Sequence, residues 1–364
     1  MDSTFRLPEY LPPDFGDPIF QQAPDAVLQP APRDGVAPEH YHATTIFPEY
    51  FKVGGRWLLA EESRMDSVAV LREDRIAVVE FRNLKAGEPV FTGRRENGED
   101  GIYVHTSGFS AAQQQAETFA FRTGRSRETA YSRDYDFLYQ LLEHERKHGH
   151  IVWVLGPACA FDYDSRLAFQ RLVEHGYVHA LLAGNALATH DLEAAYLGTA
   201  LGQDIYTQQG QPAGHYNHID TINQVRLCGS IPAFLQQERI DNGILYACNQ
   251  LGVPFVLTGS IRDDGPLPEV YADVYAGQNA MREQVSRATT VICMATALHT
   301  IATGNMTPSY RVVNGVVRPT YFYSVDISEF AVNKLRDRGS LSVTTIVANV
   351  QDFVVNLWRG VQNK

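Results

Sequence analysis

No apolar run in this 364-residue chain exceeds the length of a strand. A membrane-spanning helix needs roughly 20 apolar residues, so no bilayer span is expected. Basic charge is scarce, with 31 Lys and Arg against 42 Asp and Glu and a formal net charge of −11. That excludes the positive field a nucleic-acid partner requires, and an anionic membrane surface would repel the chain. Only four cysteines occur, Cys159, Cys228, Cys248 and Cys293, at wide spacing and with no CxxC. A disulfide frame and a zinc site are both disfavoured, and reduced thiols in a cytoplasmic protein are expected. The opening "MDSTFRLPEY" has no basic region followed by an apolar one, so no signal peptide is expected. Neither GxGxxG nor GxxxxGK[ST] is present, which removes both common nucleotide fingerprints. What is there is globular: 44% hydrophobic and 20% charged residues.

The patterning divides the chain into three regions. Residues 1–50 hold nine of the eighteen prolines and no sustained periodicity, which reads as an extended arm. Residues 51–125 carry "SVAVL", "RIAVVEF", "EPVFTG" and "GIYVHT", short segments rich in Val, Ile, Phe and Tyr with turns between them. They predict antiparallel strands in a small β-rich domain. Residues 126–364 alternate differently. Helix-like "DYDFLYQLLEHERKHG" and "DSRLAFQRLVEHG" interleave with the apolar "HIVWVLG", "YVHALLAGN", "PFVLTGS", "TTVICMAT" and "YFYSVDIS". Strands apolar throughout, set between amphipathic helices, predict an α/β doubly wound parallel sheet covered on both faces.

In such sheets ligands bind beyond the carboxyl ends of the strands. The strand "IVWVL" runs into Gly156, and "HALLA" runs into Gly184, Asn185 and Ala186, with His190 and Asp191 a little further on. "PFVLT" leads to Gly259, Ser260, Arg262, Asp263 and Asp264; "VICM" leads to Ala295, Thr296 and then His299; "YFYSV" ends in Asp326. Small residues let a backbone approach a ligand, and N–H groups at helix starts suit a pyrophosphate. Asp326 is placed to accept from ribose hydroxyls. Each loop alone is also what turns and helix caps require. Three adjacent charges in "SIRDDGPLP" are the hardest to explain as architecture.

"LLAGNALATHDLE", "FVLTGSIRDDGPLPEVYADV", "ATALHTIATGN" and "VDISEFAVNKLRDRGS", with "TTIFPEYFKVGGRWLLAEESRMD" near the start, resemble the lysine-oxoglutarate reductase/saccharopine dehydrogenase (LOR/SDH) bifunctional-domain family. Its members include NAD-dependent ornithine cyclodeaminases of archaea and the carboxy-terminal half of a cyanobacterial arginine-degrading enzyme. The resemblance covers roughly residues 40 to 350. It implies a Rossmann-like NAD domain of the deoxyhypusine-synthase kind behind a smaller β-rich domain. It also implies conversion of ornithine or a relative to a cyclic imino acid, proline, with ammonia release, in a cytoplasmic homo-oligomer, tetramer or dimer.

On that resemblance NAD is assigned to Gly156, Gly184, Asn185, Ala186, Asp191, Ser260, Ala295, Thr296 and Asp326. Asp263 and Asp264 are the candidates for the substrate amine and proton transfer, one of them alternatively a helix cap. Arg262 is assigned to the substrate carboxylate or to orienting those aspartates, a local salt bridge being the structural alternative. His190 is an oriented base if Asp191 holds it; otherwise Asp191 starts a helix. Asn217 and His218 are placed along the substrate pocket. His215 and His218 stand at i, i+3 with no third ligand, so no metal is expected. After "GPA" the resemblance implies a small, polar, Gly-containing segment, whereas this chain reads "CAFDYDSR". The difference leaves another amino acid, such as lysine, open as substrate. A net dehydrogenase that releases NADH and a non-catalytic NAD-responsive binding protein also stay open.

Overall fold

The turns of the β-rich stretch decide its layout, as where Glu73, at φ +54, reverses the chain between two strands. The computed structural model describes residues 5–109, 132–263, 265–327 and 340–362. The expected boundary at 125/126 and Asp264 lie outside the described residues. Strands β1 (Val27–Pro30), β2 (Glu49–Val53), β3 (Arg56–Leu59), β4 (Glu62–Ser63), β5 (Val68–Arg72), β6 (Arg75–Val79), β7 (Pro89–Thr92) and β8 (Ile102–Val104) form the amino-terminal region. Two antiparallel sheets, ordered β1-β7-β5-β6 and β3-β2-β8, share a cluster around the fully buried Phe51, Phe91 and Ile102. The proline-rich segment lies against this region. Its β1 pairs with β7, and the end of the short helix α1 (Pro18–Gln21) and the turn after it offer the carbonyls of Gln21 and Ala23, which accept from buried Lys52 Nζ at 3.0 and 2.7 Å.

Beyond α2 (Ser132–His148) the chain alternates strand and helix. The elements are β9 (Ile151–Leu155), α3 (Tyr163–Glu174), β10 (Ala180–Gly184), α4 (Asn185–Leu197), β11 (Thr199–Ala200), β12 (Gln203–Asp204), α5 (Asn217–Cys228), α6 (Ile231–Gln237), α7 (Ile244–Leu251), β13 (Phe255–Thr258), β14 (Val270–Tyr271), α8 (Val274–Val285), β15 (Thr290–Met294), α9 (Ala297–Met306), β16 (Tyr310–Val313), β17 (Val316–Pro319), β18 (Tyr321–Asp326), β19 (Ser342–Val347) and α10 (Val350–Gln362).

Seven of these strands make one all-parallel sheet, ordered β14-β13-β10-β9-β15-β18-β19. The α/β doubly wound sheet read from the apolar strands is thus present. Every residue of β9 and β15 is buried, as expected where helices cover both faces. From central β9 the chain steps outward to β14, then returns to β15 on the other side. The order therefore reverses between β9 and β15, and a crevice opens there at the carboxyl ends.

The two regions are stitched together. β4 pairs with β16, and fully buried Tyr310 donates its hydroxyl to Ala60 O at 2.7 Å. Glu80 of the amino-terminal region is paired with Arg64 and with Arg282 Nε of α8, the latter at 2.5 Å.

Candidate functional site

At the switch point the backbones after β9 and β15 touch. A Cβ built on Gly156 would fall 1.8 Å from Ala295 O, so glycine is required there by the neighbouring strand end. Ala295 itself sits at φ +53, a left-handed conformation unusual for alanine and a local strain of the kind found at functional sites. Gly156 was expected to admit a ligand; its close neighbour is the protein's own main chain.

Among the described residues, five helices begin along this edge. Asp162 caps α3 by accepting from Ser165 N at 2.9 Å, Asp273 caps α8 through Ala276 N at 2.7 Å, and Asn349 caps α10 through Gln351 N at 2.8 Å. Helices α4 and α9, which follow β10 and β15 on either side of β9, have Gly184 and Thr296 at the cap position and no side-chain cap. Their first-turn N–H groups, of Asn185, Ala186 and Leu187 and of Ala297, Leu298 and His299, point out of the helix start as donors. Ile261, Leu298 and Ile327 stand exposed along the same edge.

His299 reaches across this crevice. Its Nε2 lies 2.8 Å from Thr258 Oγ1 at the end of β13, and its Cε1 would be 3.5 Å from a Cβ on Gly184. Burial lowers its pKa below the usual imidazole value, which keeps the ring neutral. The loop after β13 closes on itself: Ser260 N donates to Asp263 Oδ2 at 2.8 Å, and Arg262 N to Ser260 Oγ at 3.2 Å. Asn185 Oδ1 accepts from Leu267 N at 3.0 Å, tying the far end of that loop to the start of α4. Arg262 is exposed and makes no ion pair among the described residues, which do not include its neighbour Asp264. Asp326 closes β18 beside the end of β15.

The strand-to-helix boundary departs from the reading of residues 185–191 as loop. Helix begins at Asn185, directly after β10, which puts His190 and Asp191 in its second turn. Asp191 is 1% exposed, and its carboxylate is taken up by Arg166 Nε at 2.6 Å, Ile244 N at 3.0 Å and Leu245 N at 2.8 Å. It caps α7 from across the core, which corrects both its assignment to the cofactor and its role beside His190. The carboxylate that holds His190 is Glu193, with Oε2 3.0 Å from Nδ1. Glu193 is fully buried and also accepts from Thr199 Oγ1, Leu201 N and Gly202 N at 2.7, 3.1 and 2.9 Å. Burial raises its pKa, but the hydrogen bonds from His190, Gly202 and Thr199 outweigh that and hold it below the usual carboxylate value.

The expected pocket residues join this network. Asn217 Nδ2 donates to Thr199 Oγ1 at 2.8 Å, and the His218 ring lies 6.3 Å from that of His190. His218 Nδ1 is buried without a hydrogen-bond partner, and Phe161 stands edge-on to His190 at 5.1 Å. Glu193 and Thr199 were missed in the sequence, although the i, i+3 spacing of His190 and Glu193 on a helix was available as a signal. Among the described residues no cluster of three metal ligands occurs. Cys159 is buried, and burial pushes its thiol up to about 12, so it carries no thiolate.

A family model described as arginine dihydrolase ArgZ-like, C-terminal, Rossmann fold matches residues 137–357, more than half of the chain. The chain belongs to this ArgZ-like family. Its relatives include the ornithine cyclodeaminase of Methanocaldococcus jannaschii, 36% identical over 342 residues, 90% of this chain and 75% of that one. The bifunctional arginine dihydrolase/ornithine cyclodeaminase AgrE of Nostoc sp. is 33% identical over 343 residues, 92% of this chain but 46% of its own. Among solved structures, a conserved LOR/SDH protein from Methanococcus maripaludis S2 superposes with a TM-score of 0.80 at 32% identity, covering 93% of this chain and 99% of that one. A ternary complex of AgrE with ornithine and NAD+ superposes with a TM-score of 0.56 at 30% identity, over 94% of this chain and 46% of that one. The ArgZ-like Rossmann fold and the LOR/SDH likeness agree with the resemblance carried by the strand-end motifs.

Proposed function

We propose that this chain is an NAD-dependent ornithine cyclodeaminase-like enzyme, closing ornithine or a related diamino acid to a cyclic imino acid, proline for ornithine, and releasing ammonia. The observation that supports this reading most is the 36% identity to the M. jannaschii ornithine cyclodeaminase over 90% of the chain. The AgrE complex supports the choice of ornithine and NAD.

The residues at the switch point fit a dinucleotide. Two helix starts without side-chain caps offer main-chain donors to phosphate, and the residues around them, Gly184, Ala186, Ala295 and Thr296, are small. Asn185, Ser260 and Asp326 complete the proposed cofactor set. When bound, NAD supplies a reversible hydride acceptor, so ring closure runs with no net oxidation. The chain's own residues hold the substrate and move protons. Arg262, exposed and unpaired among the described residues, takes the substrate carboxylate. Asp263, together with Asp264, holds the amine. His190 exchanges protons with substrate nitrogen, and Asn217 and His218 line its pocket. Among the described residues no helix is long and apolar enough to cross a membrane; we place the enzyme in the cytoplasm as a homo-oligomer, dimer or tetramer, which light scattering tests.

The test is ammonia release over a panel of amino acids by protein purified with its own cofactor. Ornithine should give ammonia and proline in equal amounts with no build-up of NADH. NADH formation in step with substrate loss would instead make the chain a dehydrogenase, and bound NAD with no turnover of any amino acid would make it a binding protein.

A further inference from the structure

The carboxylate of Glu193 has four donors around it and no cation among its described ion-pair partners other than His190. Because the carboxylate stays ionised it can only accept, so the nitrogen facing it must carry a proton. That nitrogen is His190 Nδ1. In a neutral imidazole one nitrogen donates and the other accepts, and the partner of the first fixes the state of the second. In the neutral ring Nε2 is then the lone-pair nitrogen, on the ring edge opposite Glu193. Around this ring stand Phe161, edge-on at 5.1 Å, and His218, whose own Nδ1 is buried without a partner. Thr199 extends the arrangement. Its hydroxyl donates to Glu193 and accepts from Asn217, so the one carboxylate sets both the ring of His190 and, through Thr199, the amide of Asn217.

A purely architectural duty would be complete without the imidazole. Glu193 already ties down the turn between β11 and β12 through Leu201 N and Gly202 N, and Thr199 Oγ1 fills a third site. The fourth bond goes to a ring that stands beside two residues of the proposed pocket, Phe161 and His218.

We propose that Glu193 is a positioning residue: it holds His190 in the Nδ1–H tautomer and so presents Nε2 as the proton acceptor toward a ligand bounded by Phe161, Asn217 and His218. The tautomer follows from this chain's geometry alone; the proton-transfer duty rests on the function proposed above.

The first experiment uses ligand-free wild-type protein with 15N-labelled histidine, the His190 resonances being assigned by their loss in His190→Gln. Nδ1 is expected at the frequency of a protonated nitrogen and Nε2 at that of an unprotonated one. In Glu193→Gln the side-chain amide can donate, so this preference should weaken or invert. Its kcat for ammonia release should fall about 100-fold or more, as when a base is held in the wrong tautomer, with KM changed less than about threefold. In the His190→Gln background the same Glu193→Gln change should cost no further kcat. An Nε2–H tautomer in the wild type overturns the proposal, and so does a Glu193→Gln loss that persists undiminished without His190. Should Glu193→Gln fail to fold, the wild-type spectrum alone decides. Wild-type protein with the Nδ1–H tautomer but no ammonia from any diamino acid would keep Glu193 in its positioning role and dismiss the cyclodeaminase reading.

Discussion

Helices α3, α8 and α10 leave the carboxyl edge of the parallel sheet with Asp162, Asp273 and Asn349 already bonded to their first N–H groups, whereas α4 and α9 leave the same edge with none. The uncapped pair is not scattered. Both follow strands adjacent to central β9, and the sheet reverses its order between β9 and β15. Unfilled donors cost a helix about 0.5–2 kcal/mol relative to a good cap, so leaving two bare at one crevice has a purpose only if something else fills them. A cap can also come from a distance: Asp191 of α4 serves the start of α7.

Breaking that distant cap should have the largest effect. Asp191→Ala strips the partner from Arg166, itself 4% exposed, and from two N–H groups, and should destabilise the fold by about 3–5 kcal/mol in urea denaturation. A loss below about 1 kcal/mol would mean that the pair is not the cap described. Next, Gly184→Asp places a carboxylate at the start of α4, where backbone angles of −110° and 176° and ordinary van der Waals room permit a side chain. Calorimetric titration should find NAD binding weakened about 100-fold, while the melting temperature holds or rises by the value of a new cap. The capped counterpart, Asp273→Ala, should reverse the signs, losing about 1 kcal/mol of stability with NAD affinity unchanged. If both variants lost stability alone, the distinction between the two kinds of helix start would collapse.

Arg262→Ala sharpens the same contrast at the substrate. An exposed arginine without a described ion pair should be worth less than about 0.5 kcal/mol to the fold. Its loss should nevertheless raise KM for the amino acid about 10- to 100-fold, the value of a hydrogen bond to a charged group. The smallest effect belongs to the opposite edge of the sheet. There burial, and then the neighbouring His179, push His150 down to about 4. A histidine depressed in the fold is neutral there and protonated when unfolded, so its contribution is present above about pH 6.5 and is lost as the pH falls toward 4. Denaturation at pH 7 and pH 5 should show His150→Gln losing less stability on acidification than the wild type, with NAD affinity the same in both.

The sheet was legible because β9 is apolar from end to end and β13 and β15 are apolar but for one terminal threonine each, the pattern of strands covered on both faces. The residues delivered to the carboxyl edge were legible for the same reason, since each comes directly after its strand. The start of α4 was not. "NALATHD" carries no Ser, Thr or Pro ahead of its first turn, so it reads as loop, and the missing cap that hid the helix is the feature that matters about it. Asp191 was read as partner to the adjacent His190 because adjacency is all that a linear pattern offers. Its real partners, Arg166, Ile244 and Leu245, lie tens of residues away and meet it only once the core has packed. Glu193 is an intermediate case. Its spacing from His190 was in view, but its importance comes from Thr199, Leu201 and Gly202, which the fold brings to it.

The central claim is that the cofactor supplies what the two bare helix starts lack. A crystal structure of the protein with NAD bound tests it most directly. The pyrophosphate oxygens should lie about 3 Å from main-chain N–H groups within residues 185–187 or 297–299, between β10 and β15. A dinucleotide whose phosphates sit elsewhere, with both helix starts left to solvent, would contradict that claim.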